Sequence, residues 1–336
     1  MKVLVVGASG VVGASVVRHL SAQQIEHIGL VHTRVPNESQ IVGDVTCPML
    51  GVKPGDVQGV THIVYCAGST KFDLPIKVSR AVNTTPMHNL LSLANSIPSL
   101  QRLIFVSTIY SCGLQEGVIR EVRHRQNEFA NTYEQSKLEA EKIILNDKAK
   151  YTLSIARLST IVSDDDGNVV KYDSIHRSLQ YLYYGLIGVL PGAKDVTVDM
   201  ISGDYASKRL IQILFTKNPK QIYHVASGDH SLSMDKVICG ARNIFESEEP
   251  GWLAKGYPEP LYTSLNAFNN LGESMVEAGN IIVGGAYRAL ATYAPQISAH
   301  KKFSTDNTDS LGALDMVETD LLYKRMVHYC LSNKWK

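Results

Sequence analysis

Tyr133-Glu134-Gln135-Ser136-Lys137 sets a tyrosine four residues ahead of a lysine, a pairing that can do acid–base chemistry. On a helix this spacing puts both side chains on one face. A phenol titrates at about 10, too high for proton traffic at neutral pH, and a neighbouring ammonium lowers that value by favouring the phenolate. The pair can then pass a proton to or from a substrate oxygen, and Lys137 can also hydrogen-bond a ribose. One strand–helix unit earlier, Phe105-Val106-Ser107-Thr108 reads as a strand ending in hydroxyls. Ligands of parallel sheets bind beyond the carboxyl ends of the strands. Thr108 is therefore placed to hydrogen-bond the reacting oxygen, with Ser107 beside it.

The second constellation is Gly7-Ala8-Ser9-Gly10-Val11-Val12-Gly13, a G-x-x-G-x-x-G loop between an apolar run and a helical pattern. Gly7 permits the tight turn, Gly10 lets a pyrophosphate approach the backbone, and Gly13 lets the helix pack close to the sheet. Ser9, Val11 and Val12 complete a cradle whose N–H groups and helix dipole favour phosphate charge. This context predicts dinucleotide binding. An acid after the second strand would select NAD, but the sequence there is Leu30-Val31-His32-Thr33-Arg34. Arg34 can pair with a 2′-phosphate, with His32 and Thr33 adding hydrogen bonds. NADP(H) is expected over NAD(H).

These groups need a scaffold, and the first half of the chain supplies its pattern. Short apolar strands are predicted at 2–6, 27–31, 40–42, 61–66, 102–106 and 152–157. Helices are predicted at 11–21, 74–96 and 131–146. This alternation implies an α/β fold, a Rossmann-type doubly wound parallel sheet. Past about residue 160 the pattern loosens. A loop is expected at Asp164-Asp165-Asp166-Gly167, helices at 172–186 and 205–215, and strands at 195–201 and 222–226; 247–270 resists assignment. The tyrosines at 181, 183 and 184 read as packing residues. The expected organisation is a dinucleotide-binding core over 1–165 and a smaller substrate region over 166–336, interleaved with late core elements at about 195–226.

Composition narrows the partners. A net charge of +1 argues against nucleic acid or an anionic membrane surface. No apolar run is long enough to span a bilayer. The N-terminal run passes straight into glycines, so it reads as a strand and not a secretory leader. Five cysteines with no C-x-x-C pair read as buried free thiols of a cytoplasmic protein. No histidine pattern supports a metal site, and Asp164–Asp166 lacks the spacing of a calcium loop.

Gly7–Gly13, Asp44-Val45, Cys66-Ala67-Gly68, Asn83, Val106-Ser107-Thr108, Tyr133-x-x-x-Lys137 and Arg157-Leu158-Ser159 fall in the order of the extended short-chain dehydrogenase/reductase superfamily. Within it the chain most resembles the male-sterility group of fatty acyl-CoA reductases and the thioester reductase domains. The runs 105–110, 133–141 and 157–162 carry that likeness, which is strong over about 1–165 and thin afterwards. Val6-Gly7 stands where the family often has Thr-Gly, and Leu158 where it often has proline.

The resemblance implies Tyr133 as the acid–base, Lys137 as its tuner and ribose ligand, and Thr108 as the group orienting the carbonyl. It implies that Asp44 and Val45 flank the adenine and that Cys66, Ala67 and Gly68 line the middle of the cofactor. Asn83 falls on the central helix near the site, where its amide could support a strand or a water leading to Lys137, and Ser107, Leu158 and Ser159 fall at the nicotinamide end. The leading expectation is NADPH-dependent reduction of a ketone, aldehyde or acyl thioester, free or carrier-bound, by a protein that is a candidate homodimer. The rival readings are a nucleotide-sugar epimerase or dehydratase holding NAD, and a non-catalytic NADP-binding regulator.

Overall fold

The computed structural model describes residues 1–33 and 39–336. Its central sheet is built from β1 (Lys2–Val6), β2 (Glu26–Val31), β3 (Gln40–Val42), β4 (His62–Tyr65), β5 (Arg102–Thr108), β6 (Thr152–Leu158) and β7 (Ile222–Val225). Their order is β7-β6-β5-β4-β1-β2-β3, with every pairing parallel. The order reverses between β1 and β4, which opens the crevice where doubly wound sheets bind ligands.

Both faces of the sheet are covered, so the strands are apolar on both sides. Val3 and Val5 pack on one face and Leu4 and Val6 on the other, all fully buried. Helix α1 (Val11–Ala22) covers the first face through Val16 and Leu20. The opposite face carries α2 (Ile76–Asn83), α3 (Pro86–Ser96) and α4 (Thr132–Leu145), with Leu90 of α3 and Ile144 of α4 in its core.

The single helix expected over 74–96 is two helices. Pro86 has no N–H to donate, and its ring would meet the carbonyl one turn back, so the chain restarts there as α3. That break leaves Asn83 at the end of α2.

The later chain packs around a second core. Helix α5 (Ser174–Tyr183) leads toward α6 (Gly203–Phe215), which returns to the sheet beside α1, and α7 (Met234–Glu248) follows β7. The strand expected over 195–201 is divided: Thr197–Val198 pairs with Leu232–Ser233, and Met200–Ser202 with Thr160–Ser163. Asp199 causes the division. Its buried carboxylate gathers the Ser227 and Gly228 N–H groups and the Ser231 hydroxyl, at 2.9–3.0 Å.

The unassigned stretch 247–270 holds a turn at Leu253–Lys255, a strand at Leu261–Thr263 and the start of a helix at Leu265–Glu277. Trp252 anchors it, fully buried against Tyr183 and Phe245, with its indole N–H donated to the Tyr183 carbonyl.

The acidic loop is held by its own backbone and by α6. Asp164 accepts from the Asp166 and Asn168 N–H groups, and Asp165 pairs with Lys208. All five cysteines are free, but Cys47 and Cys239 are exposed, against the expectation of buried thiols. Both stand outside the sheet, where no apolar layer covers them. Among the described residues no helix is long and apolar enough to cross a membrane.

Candidate active site

At the carboxyl ends of β1, β4, β5 and β6 lies one cavity of about 820 Å³. The glycine loop forms its first wall. Gly7 has φ +83°, and a Cβ there would press on the Ala67 backbone, while one on Gly13 would collide with the Gly7 carbonyl oxygen. These two glycines therefore serve turn and packing and do not line the cavity. Ser9, Gly10, Val11 and Val12 do line it. Gly10 begins α1 without a side-chain cap, so no side chain competes for the free N–H groups of the first turn. That is an arrangement a pyrophosphate fits.

Cys66, Ala67 and Gly68 continue the wall after β4. Asn83 fixes this loop: its amide oxygen accepts from Ser69 N–H at 2.8 Å, and its nitrogen donates to the Ser69 carbonyl and the Ser136 hydroxyl. Those contacts hold loop and helix together and do not reach Lys137. The adenine-side residues stand elsewhere. His32 and Thr33 are exposed, with His32 loosely facing Asp44 at 3.9 Å. Asp44 accepts from the Thr46 N–H and hydroxyl, and the Val45 carbonyl accepts from Asn89. Arg34 lies outside the described residues.

The reactive end gathers Ser107, Thr108, Tyr133, Lys137, Leu158 and Ser159 in the same cavity. Ser107 is committed elsewhere, since its hydroxyl donates to Glu141 at 2.5 Å. Thr108 accepts from Tyr110 N–H and stands beside Tyr133. Ser159 keeps a buried hydroxyl without a protein partner, a group free for a ligand's carbonyl or amide.

The expected tuning of Tyr133 by Lys137 is not what the geometry shows. Burial pushes the Tyr133 phenol up to about 12, with the Thr108 hydroxyl acting the other way. The Lys137 ammonium donates to the Val106 carbonyl at 2.7 Å and lies 4.2 Å above the Phe105 ring. Burial brings Lys137 down to about 8, opposed by Glu141 and Cys66. The phenol is thus a neutral donor here, and Lys137 is held at the strand end where a ribose would lie.

Sequence reading missed the support beneath the site. Arg157 and Glu141, exposed by 0% and 1%, form a bidentate pair with contacts from 2.7 to 3.2 Å. Arg157 also meets the Nε2 atoms of His124 at 2.7 Å and His224 at 3.3 Å. Charged residues one helix and one strand apart carry no pattern that distinguishes them from surface positions.

Burial first, and then the guanidinium, brings His124 down to about 4 and His224 to about 3. Both are neutral in folded and unfolded chains above the ordinary histidine value of about 6.5. As pH falls from there, the unfolded chain takes up three protons that the folded one refuses, the third at His62, which burial likewise brings down to about 4. Glu134, pushed up to about 7 chiefly by burial, contributes one proton in the opposite sense. Stability should therefore fall by about 2.7 kcal/mol for each unit that pH drops between roughly pH 6.5 and 4.5. Melting temperatures that hold constant over this window would contradict the neutral histidines.

The far half of the cavity lies in the second core and is mostly apolar. Leu179 and Leu182 of α5, Ile187, Val237 and Ile238 of α7, and Leu290 line it. Nothing in the earlier periodicity marked these side chains as facing a void and not each other.

The family model described as male sterility protein matches residues 32–210. "Probable fatty acyl-CoA reductase 4" of Arabidopsis thaliana is 31% identical over 115 residues, which is 33% of this chain and 23% of that protein. The chain is thus matched to under a quarter of that relative's length. Among solved structures, the terminal R domain from the myxalamid PKS-NRPS biosynthetic pathway superposes with TM-score 0.80 at 18% identity, covering 100% of this chain and 91% of that one. A thiolation-reductase di-domain from an archaeal non-ribosomal peptide synthetase gives TM-score 0.73 at 16% identity, covering 99% and 76%. At such identities the likeness concerns the fold. The family match covers more than half the chain and makes this protein a member of the NAD(P)-binding family described as male sterility protein.

Proposed function

We propose that this protein is an NADP(H)-dependent reductase acting on the carbonyl of an acyl intermediate, with an acyl thioester as the preferred class and an aldehyde or ketone as the simpler case. The observation that carries this reading is the cavity's two-part character. Tyr133, Thr108 and Lys137 stand at one end, and an apolar chamber adjoins them. A nucleotide sugar needs polar partners for its hydroxyls and diphosphate, and the six chamber residues named above offer none. An acyl chain needs only the apolar area. The relative described as a probable fatty acyl-CoA reductase and the fold shared with a thiolation-reductase di-domain support the same class.

NADPH, when bound, supplies the hydride. Thr108 holds the substrate oxygen, and Tyr133 donates its phenolic proton to that oxygen as negative charge develops there. Lys137 holds the ribose, and the walls exclude water. The Asn83 contacts and the Arg157–Glu141 pair keep the loops and strand ends in register.

Two measurements test the proposal. The first follows NADPH oxidation with acyl-CoA thioesters and aldehydes of increasing chain length, with UDP-glucose as the contrasting substrate. Turnover should rise with chain length and be absent for the sugar nucleotide; epimerisation of the sugar without net oxidation would overturn the reading. The second is a fluorescence titration with NADPH and NADH. Arg34→Ala should weaken NADPH by about 10- to 100-fold, the worth of a charged hydrogen bond, and leave NADH unchanged. Equal losses for both would remove the role given to Arg34.

A further inference from the structure

Of the three glutamates on helix α4, two are buried, Glu134 and Glu141, two turns apart and each 1% exposed. Their surroundings are opposite. Glu141 faces the Arg157 guanidinium, which holds its carboxyl below the usual range although burial works against it. Glu134 meets neutral donors: Ala130 N–H at 3.0 Å and the Asn131 amide at 2.9 Å, with the Gln296 side chain beside it. Lys301 lies near enough to favour its charge, but donates to the Gly113 carbonyl at 2.6 Å and to the Gln296 amide oxygen. A buried carboxylate without a direct counter-ion is costly, and the group keeps its proton instead. Two carboxyls driven apart in this way mark acid and base assignments.

Glu134 also lies in the wall of the same cavity as Tyr133, near enough for its charge to bear on the Tyr133 phenol. Its capping of α4 does not account for its burial. An N-terminal carboxylate caps as well or better in the solvent, ionised and attracted by the helix dipole. Once Tyr133 has given its proton to the substrate oxygen, it is a phenolate in a site that burial makes hostile to that charge. A second proton must arrive before the next turnover.

Resting on the reading of Tyr133 as the acid, we infer that Glu134 is the proton reservoir that returns Tyr133 to its neutral form. The O–H bond of the carboxylic acid breaks and its proton goes to the phenolate oxygen; after product has left and solvent re-enters the cavity, the carboxylate takes up a proton from it. No electrons move in this step. Glu134 acts through Tyr133, so it is a positioning residue for the proton and does not touch the substrate. The charged and titratable groups that act on it are Lys301 from the strand Lys301–Phe303, Cys112 and Tyr110 from the turn after β5, and Tyr133 on its own helix. Of these Lys301 alone is a cation, and burial lowers its own pKa.

The test uses Glu134→Gln, which keeps an acceptor for Ala130 N–H and Asn131 but removes the proton. Infrared difference spectra of the cofactor-free protein should show a protonated carboxyl band that is lost as pH rises through about 7 and is missing from the variant. Wild-type kcat should fall over the same pH range. The variant should lose at least about tenfold in kcat, and its profile should lack that fall. NADPH affinity and melting temperature should change little at pH 8. Lys301→Met, which removes the nearby cation, should move both the band and the kinetic fall to higher pH. A Glu134 carboxylate already ionised at pH 5 overturns the inference, as does a variant sharing the wild-type pH profile. A wild type that turns over no carbonyl compound removes the reductase reading and this inference with it, whereas turnover with an unaltered Glu134→Gln profile removes this inference alone.

Discussion

Tyr133→Phe is expected to lower kcat for carbonyl reduction by about 10²- to 10⁴-fold, the range for loss of a positioned general acid. The phenyl ring keeps the packing of Tyr133 against Phe72, whose ring centroid lies 5.6 Å away. Only the hydroxyl beside Thr108 disappears, so NADPH affinity, read by fluorescence, should stay the same. The loss should appear in kcat and not in KM, because the proton is delivered as charge develops on the oxygen. Thr108→Val should act on the same oxygen, so the double variant should be less harmful than the product of the two single losses. Retention of most of the activity in Tyr133→Phe would mean that another group supplies the first proton.

The second large effect concerns stability. Arg157→Met should cost about 3–5 kcal/mol in urea unfolding, because Glu141 would remain at 1% exposure without its counter-ion. Part of the damage should reach the site, since the same carboxylate accepts from Ser107 at the end of β5. Pairing the change with Glu141→Leu removes the stranded charge and should restore much of the loss. If the single and double variants were equally unstable, packing of the guanidinium and not its charge would be what the fold requires. The His124 and His224 contacts make this a network of five residues, so the expected coupling is larger than for an isolated pair.

The local chemistry was legible in the chain. β1, the glycine loop and α1 follow from an apolar run meeting Gly7, Gly10 and Gly13, because turn geometry and helix starts are decided within a few residues. The place of Tyr133 and Lys137 in the cavity wall follows from helical spacing, and that of Thr108 from its position at a strand end. The errors arose where distant groups override local pattern. Pro86 divides a helix whose apolar stripe reads as continuous. Asp199 divides a strand because its partners, Ser227, Gly228 and Ser231, come from the loop after β7.

The state of each functional group was beyond the sequence. The Tyr–Lys spacing suggests a phenol tuned by an ammonium, yet burial raises Tyr133 and the Val106 carbonyl engages Lys137. Nothing in Tyr133-Glu134-Gln135-Ser136-Lys137-Leu138-Glu139-Ala140-Glu141 says that one buried glutamate meets a guanidinium and another only amides. The sequence by itself determined the parallel sheet, the glycine loop at the head of α1 and the placing of Thr108, Tyr133 and Lys137 on one cavity, because each depends on residues close together in the chain. Only the tertiary structure decided which of those side chains are charged and what space lies before them. Burial and counter-ions are set by residues that folding brings from far along the chain, such as Lys301 toward Glu134 and Leu290 into the chamber wall.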